Sequence, residues 1–191
     1  MTNEKKTGLL TLAFDVLEIL VTAVLVAAVL YGAGFRHVQV NGGSMQNTLQ
    51  DGEQLITANW FYQPSRGDIV VINQYDSKKV YQEYELQTAT VPLIKRVIGV
   101  AGDTVRITAE AVYVNGEKLD EPYVFGSNQP NAVYTGTGVT DEVVVPEGHF
   151  FVMGDHRDAS ADSRFAEIGF ISEEDIMGKA VWRLSPFGAL D

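Results

Sequence analysis

Between Val16 and Phe35 the chain reads VLEILVTAVLVAAVLYGAGF, twenty residues in which Glu18 is the only ionisable side chain. A helix of that length, rising about 1.5 Å per residue, is about 30 Å long, which matches the hydrocarbon core of a bilayer. A core helix of a soluble protein normally keeps a polar stripe for water, and none runs through Ile19–Leu30. Asp15 and Glu18 fall at the start of the run, within reach of a headgroup layer; deep in lipid either charge would be costly. Lys5 and Lys6 precede the span, and Arg36 and His37 follow it. The positive-inside rule then favours a cytoplasmic N-terminus and an exported remainder, on a margin of very few charges. A cleaved secretory segment is the rival reading, because Ala27, Ala28, Gly32 and Ala33 are small enough for a processing site. The run exceeds the usual apolar region of such segments, about 7–15 residues, and this favours a retained, single-pass anchor in the cell membrane.

Residues 1–35 are therefore expected to hold a cytoplasmic N-terminus and the anchor, and 36–191 an extracytoplasmic domain. Of the net charge of -11, the anchor region contributes -1, so the domain carries 12 basic against 22 acidic side chains. So acidic a surface repels phosphate backbones and argues against nucleic acid as a partner. The chain has no cysteine, which removes disulfides, thiolate metal sites and thiol nucleophiles together. Short β-rich runs fill the domain: His37–Val40, Glu53–Ala58, Asp68–Asn73, Lys79–Tyr84, Leu93–Val100, Thr104–Thr108, Ala111–Val114, Val143–Val145 and Phe150–Met153. Asn115-Gly116 predicts a type I′ hairpin, and Gly126–Gly138 reads as a long surface loop. Ser172-Glu173-Glu174-Asp175 resembles a helix start, so a short helix is expected around Ser172–Met177. The sum is one mainly-β domain behind one N-terminal transmembrane helix.

Three polar stretches interrupt this strand-and-turn text. In Val40–Leu49, Gly42 and Gly43 precede Ser44, so the backbone can turn sharply, expose the hydroxyl and aim N–H groups at a developing oxyanion. Taken alone, such a turn is more often a plain connection. In Leu93–Asp103, alternation directs Leu93, Lys95 and Val97 to one face and Ile94, Arg96 and Ile98 to the other. If Leu93 and Val97 are core, Lys95 is driven out of water, its ammonium is disfavoured, and it becomes able to take a proton from a serine. The competing reading is a solvated lysine on an edge strand. The third stretch, Phe150–Arg164, is an apolar strand that enters a loop dense in Asp155, His156, Arg157, Asp158, Ser160, Asp162, Ser163 and Arg164. Such a loop can frame a catalytic group. Its acids also suggest calcium, but the EF-hand spacing is not met. A Ser44–His156–Asp triad is a further alternative for the chemistry.

Together these stretches resemble the type I signal peptidases, membrane-bound Ser–Lys enzymes that remove leader peptides from exported proteins. The resemblance covers nearly the whole chain in order: one anchor as in the shorter Gram-positive form, Ser44-Met45, Gly67-Asp68-Ile69-Val70-Val71, Lys95-Arg96, and the box at Gly154–Arg164. It implies coiled antiparallel sheets with a barrel-like core, Ser44 as nucleophile and Lys95 as general base. It further implies an oxyanion hole from the N–H groups of Ser44 and Gly42, and Ser160 hydrogen-bonded to the Lys95 amine. Asp155 would pair with Arg96, and Asp162 with Arg164. Val38, Val40, Met45, Leu49 and Ile94 are the candidate walls of shallow apolar pockets for small residues before the cut. Three positions depart from the family pattern: Asn47 and Ala101 stand where prolines are usual, and His156 where asparagine is.

The implied partners are signal peptides of exported preproteins and membrane lipid, the latter met by Asn59-Trp60-Phe61-Tyr62 as a candidate interfacial patch. Two other readings remain: a self-cleaving Ser–Lys peptidase acting on its own linker, and a non-catalytic anchored β-domain that binds exported chains. The sequence carries no cofactor or metal signature and does not specify an oligomeric state.

Overall fold

The computed structural model describes residues 3–32, 34–73, 92–128, 133–134, 139–140, 142–165 and 168–190. Helix α1 (Asn3–Gly32) opens the chain. Its Thr11–Val29 stretch is long and apolar enough to cross a membrane, and none of it is buried against the rest of the protein. The helix stops earlier than the apolar run does. Gly34 takes a left-handed φ of 78° and its N–H closes on the carbonyl of Tyr31, a conformation that glycine adopts without a side-chain penalty. Phe35, expected inside the span, is already the first residue of β1 (Phe35–Gln39), opposite Ala58.

The remaining strands are β2 (Gln54–Ala58), β3 (Ile69–Ile72), β4 (Leu93–Gly99), β5 (Thr104–Ile107), β6 (Val112–Val114), β7 (Glu117–Lys118), β8 (Val133–Tyr134), β9 (Val139–Thr140), β10 (Glu142–Val144), β11 (His149–Met153), β12 (Ile171–Ser172), β13 (Ile176–Ser185) and β14 (Phe187–Ala189). The main sheet runs β1-β2-β13-β3-β4-β11-β12, with β14 added on β13, and curls into an antiparallel half-barrel. A smaller sheet runs β10-β5-β6-β7. Asn115 and Gly116 both have positive φ, 55° and 82°, which is the type I′ turn between β6 and β7.

Alternation sorts β3 and β4 onto two cores. Ile69, Val71 and Ile94 join a cluster with Val38, Val40, Met45, Leu49, Leu55 and Ala180. Val70, Ile72 and Val97 join another with Phe150, Val152, Ile171 and Ile176, and Leu93 packs against it. Both strands are central and covered on both faces, so neither reads as polar-out.

Two expectations need correction. The helix expected around Ser172–Met177 is a single 3-10 turn, Glu173–Asp175, capped by the Ser172 hydroxyl, which accepts from the N–H of Glu174. The cap satisfies one turn only; beyond it Ile176, Gly178 and Ala180 alternate inward, and the chain runs on as the ten-residue β13. The loop expected over Gly126–Gly138 includes β8, which pairs with β9 as a small hairpin. Most of that loop, and the strand expected at Lys79–Tyr84, lie outside the described residues.

Candidate active site

Ser44 stands on a tight turn between β1 and β2. Gln46 N–H donates to the carbonyl of Gly43, and the N–H groups of Thr48 and Leu49 both donate to that of Met45. Met45 and Leu49 anchor the turn by burying their side chains in the first core. Ser44, just before Met45, is only half-buried.

The amine that meets it comes from β4, 51 residues later. Lys95 Nζ lies 2.8 Å from Ser44 Oγ and 3.1 Å from the carbonyl oxygen of Ile94. Only 2% of Lys95 is exposed. Burial pushes its pKa down to about 8; nearby Asp162 and Asp155 resist that shift, while Arg164 adds to it. A neutral amine donates one N–H to the Ile94 carbonyl and turns its lone pair to the serine hydroxyl, the geometry that proton abstraction needs.

Arg96, the next residue, is held differently. Its Nε and Nη2 donate to Asp155 at 2.9 and 2.7 Å, its Nη1 donates to the carbonyl of Gly67 at 2.7 Å, and its guanidinium lies 3.8 Å over the Tyr123 ring. Asp162 and Arg164 pair at 2.8 Å, and Asp162 also accepts from Gly154 N–H at 3.0 Å. These ties pin the Gly154–Arg164 loop against β4. Gly154 permits the close approach: a Cβ there would collide with Ser160 Oγ and with the carbonyl oxygen of Ser44.

Sequence reasoning missed two members of the frame, Thr48 and Asp51, and the partners of a third, Arg157. Thr48 donates its hydroxyl to Asp155 Oδ2 at 2.5 Å, tying the nucleophile turn to the Arg96 ion pair. Arg157, 1% exposed, reaches the carbonyl of Gly154, Asn128 Oδ1 and, through a short pair, Glu121. Asp51 Oδ1 accepts the N–H of Gly42 at 2.7 Å. Thr48 lies inside the serine box and was open to notice; the partners of Arg157 and Asp51 lie across turns and carry no local pattern.

Of the two N–H groups expected in the oxyanion hole, that of Gly42 donates to Asp51 Oδ1, while that of Ser44 meets no acceptor among the described residues. Ser160 also differs from expectation. It is buried beside Gly154, but its hydroxyl makes no hydrogen bond to Lys95 and has no partner among the described residues. His156 does not form a triad with Ser44. Its ring nitrogens face the carbonyl of Gly43 at 3.2 Å and Asp158 at 3.2 Å. The candidate pocket residues Val38, Val40, Met45, Leu49 and Ile94 are brought together in one buried apolar cluster, Met45 directly following Ser44 in the chain.

A hydroxyl facing a buried amine at the rim of a curled β-sheet, behind one membrane-length helix, marks out a class of hydrolase site that comparison with known proteins identifies. A family model described as "Signal peptidase, peptidase S26" matches residues 13–185. Signal peptidase I of Bacillus licheniformis is 35% identical over 196 residues, covering 100% of this chain and 98% of that protein. Signal peptidase I T of Bacillus subtilis (strain 168) is 38% identical over 177 residues, covering 90% and 84% respectively. A crystal structure of a signal peptidase I from Enterococcus faecalis V583 is 26% identical, with a TM-score of 0.46, covering 63% of this chain and 98% of that one. The chain belongs to the signal peptidase family, peptidase S26, and with it to the serine peptidases of the signal peptidase I class.

Proposed function

We propose that this protein removes N-terminal signal peptides from exported preproteins at a membrane surface, with Ser44 as nucleophile and neutral Lys95 as general base. The observation that carries the mechanism is the 2.8 Å contact between a serine hydroxyl and a lysine amine kept out of water. Ser44 Oγ attacks the scissile carbonyl carbon while its proton passes to Lys95 Nζ. The carbonyl electron pair moves onto oxygen and is met by the N–H of Ser44. Collapse of this intermediate expels the amine, which takes the proton from Lys95, and leaves an ester on Ser44. Water then repeats the cycle with Lys95 as base and frees the acid. Asp155, Arg96, Asp162 and Arg164 hold the lysine strand and the loop in register.

Val38, Val40, Met45, Leu49 and Ile94 offer methyl contacts and no partner for a charge, which supports cleavage after small residues. Location supports the substrate class. The chain from Gly32 at the end of α1 to Ser44 spans at most about 40 Å, so the nucleophile stays near the membrane. Trp60 and Phe61 sit where β1 leaves α1, since Asn59 N–H donates to the carbonyl of Gly34, and the two residues are 63% and 92% exposed. They form a lipid-facing edge. Tyr62, counted in the same patch from sequence, instead turns inward and donates its hydroxyl to Asp68 at 2.8 Å. With α1 as a retained single-pass anchor and its N-terminus in the cytoplasm, the site faces the extracytoplasmic side, where an inserted leader presents its cleavage point.

The test is preprotein cleavage by detergent-solubilised full chain. Wild type is expected to shorten the preprotein, and Ser44→Ala and Lys95→Ala to leave it intact while keeping the wild-type circular dichroism spectrum. Full activity in either variant would reassign the mechanism.

A further inference from the structure

With the N–H of Gly42 committed to Asp51, one of the two donors expected for an oxyanion remains, the N–H of Ser44. What fixes that N–H therefore matters to the reaction. The carbonyl of Gly43 and the N–H of Ser44 are the two ends of one planar trans peptide, so whatever grips the carbonyl aims the N–H the other way. Two donors meet that carbonyl: the N–H of Gln46 at 3.1 Å, from within the turn, and the imidazole of His156, with Nδ1 3.2 Å from the oxygen. A carbonyl can only accept, so Nδ1 carries the hydrogen and donates it. The backbone N–H of the same residue donates to the carbonyl of Ser44 at 3.0 Å. One residue thus holds two consecutive peptide planes around the nucleophile.

His156 is itself fixed on several sides. It bridges in parallel with Phe125, whose N–H donates to the carbonyl of Asp155 and whose carbonyl accepts from Arg157 N–H. The Phe125 ring meets the imidazole edge-on at 4.7 Å between centroids, and Asp158 Oδ1 stands 3.2 Å from Nε2, a hydrogen bond only when both ring nitrogens carry hydrogen. Gly154 completes the arrangement by having no side chain to separate this loop from Ser44. A hydrogen bond accepted by an amide carbonyl also polarises the amide, so its N–H becomes a stronger donor.

We propose that His156 is a positioning residue for acyl transfer: through the carbonyl of Gly43 it aims and strengthens the Ser44 N–H that receives the oxyanion. The proposal rests on the reading of Ser44 as nucleophile. The charge it serves appears when Ser44 Oγ bonds to the scissile carbon, its proton goes to Lys95 and the carbonyl π pair moves to oxygen. In the bound peptide that oxygen is nearly neutral, so the effect falls on the transition state rather than on binding.

The test uses an isosteric pair in the full chain, His156→Asn and His156→Leu, assayed for kcat and KM on a preprotein beside wild type and Ser44→Ala. The Asn amide nitrogen stands near the place of Nδ1 and can donate; Leu has the same shape and cannot. His156→Leu is expected to lower kcat about 10-fold to 100-fold, a fraction of the loss on deleting an oxyanion donor outright, with KM within about twofold of wild type. His156→Asn is expected to recover most of that loss at an equal melting temperature. If the Leu variant does not fold, His156→Ala takes its place against Asn. Equal kcat in the donor and non-donor variants, or a loss confined to KM, would overturn the proposal while leaving the Ser44–Lys95 reading intact. Wild type that cleaves no better than Ser44→Ala would overturn both.

Discussion

The two faces of β4 treat a buried cation in opposite ways. Lys95 and Arg96 are sequence neighbours, 2% and 5% exposed. On one face Lys95 meets a serine hydroxyl and a backbone carbonyl, with no carboxylate in contact among the described residues, and burial drives it toward the neutral form. On the other, Arg96 meets both oxygens of Asp155, a carbonyl and an aromatic face. A guanidinium stays charged throughout the accessible pH range. Burial alone therefore does not decide the fate of a charge; the partner does. On the proposed mechanism the lysine face serves proton transfer, while the arginine face is held by hydrogen-bond and ring contacts. Thr48 links them, since it sits in the nucleophile turn and bonds the carboxylate that Arg96 holds.

The difference can be broken most severely at Lys95. Lys95→Met is expected to lower the cleavage rate at least about a thousandfold, the scale of losing a general base. It is also expected to stabilise the fold. An amine with a pKa near 8 in the folded state and 10.5 when free costs on the order of 3 kcal/mol at pH 7. Between those two values the unfolded chain binds more protons than the folded one, so wild-type stability rises with pH, and below about pH 8 the penalty is constant. The advantage of Lys95→Met in urea unfolding should accordingly be largest at pH 7 and fade above about pH 10.5. A uniform loss of stability at every pH would show that the amine is not strained by burial.

On the other face the sign reverses. Asp155→Asn leaves the Arg96 charge buried without its carboxylate, and unfolding free energy is expected to fall by about 3–5 kcal/mol. Thr48→Val, which removes one hydrogen bond to that carboxylate, is expected to cost about 1.5–3 kcal/mol. A double-mutant cycle between positions 48 and 155 should show coupling, because the two groups touch. Additive losses would mean that the turn and the ion pair are independent. The smallest effect is expected at the membrane edge: Trp60→Ser with Phe61→Ser should weaken binding of the full chain to anionic vesicles while sparing kcat on a preprotein in detergent.

How much of this could be read from sequence follows the same division. Local patterns were legible: the apolar run that becomes α1, Asn115-Gly116 at its turn, and the alternation that puts Leu93 and Val97 against a core and so implies a buried Lys95. Strand β13 was not, because Gly178 gives its inward face no apolar side chain, register shifts near Ala180 and Arg183 break its alternation, and Ser172-Glu173-Glu174 imitates a helix start. Contacts set by the closing of turns were hidden as well. Asp51 reaches Gly42 across nine residues, and Arg157 reaches Glu121 across 36. The ring of His156 settles on the carbonyl of Gly43 across 113. A side chain chooses such partners only after the fold has brought them near, and no spacing in the chain announces the choice.

The central claim is the charge of one amine, and titration of Lys95 Nζ by site-resolved NMR in the detergent-solubilised chain measures it directly. The expected midpoint is about 8, with the cleavage rate rising through the same range. A midpoint near 10.4, the value of a solvated lysine, would contradict the account.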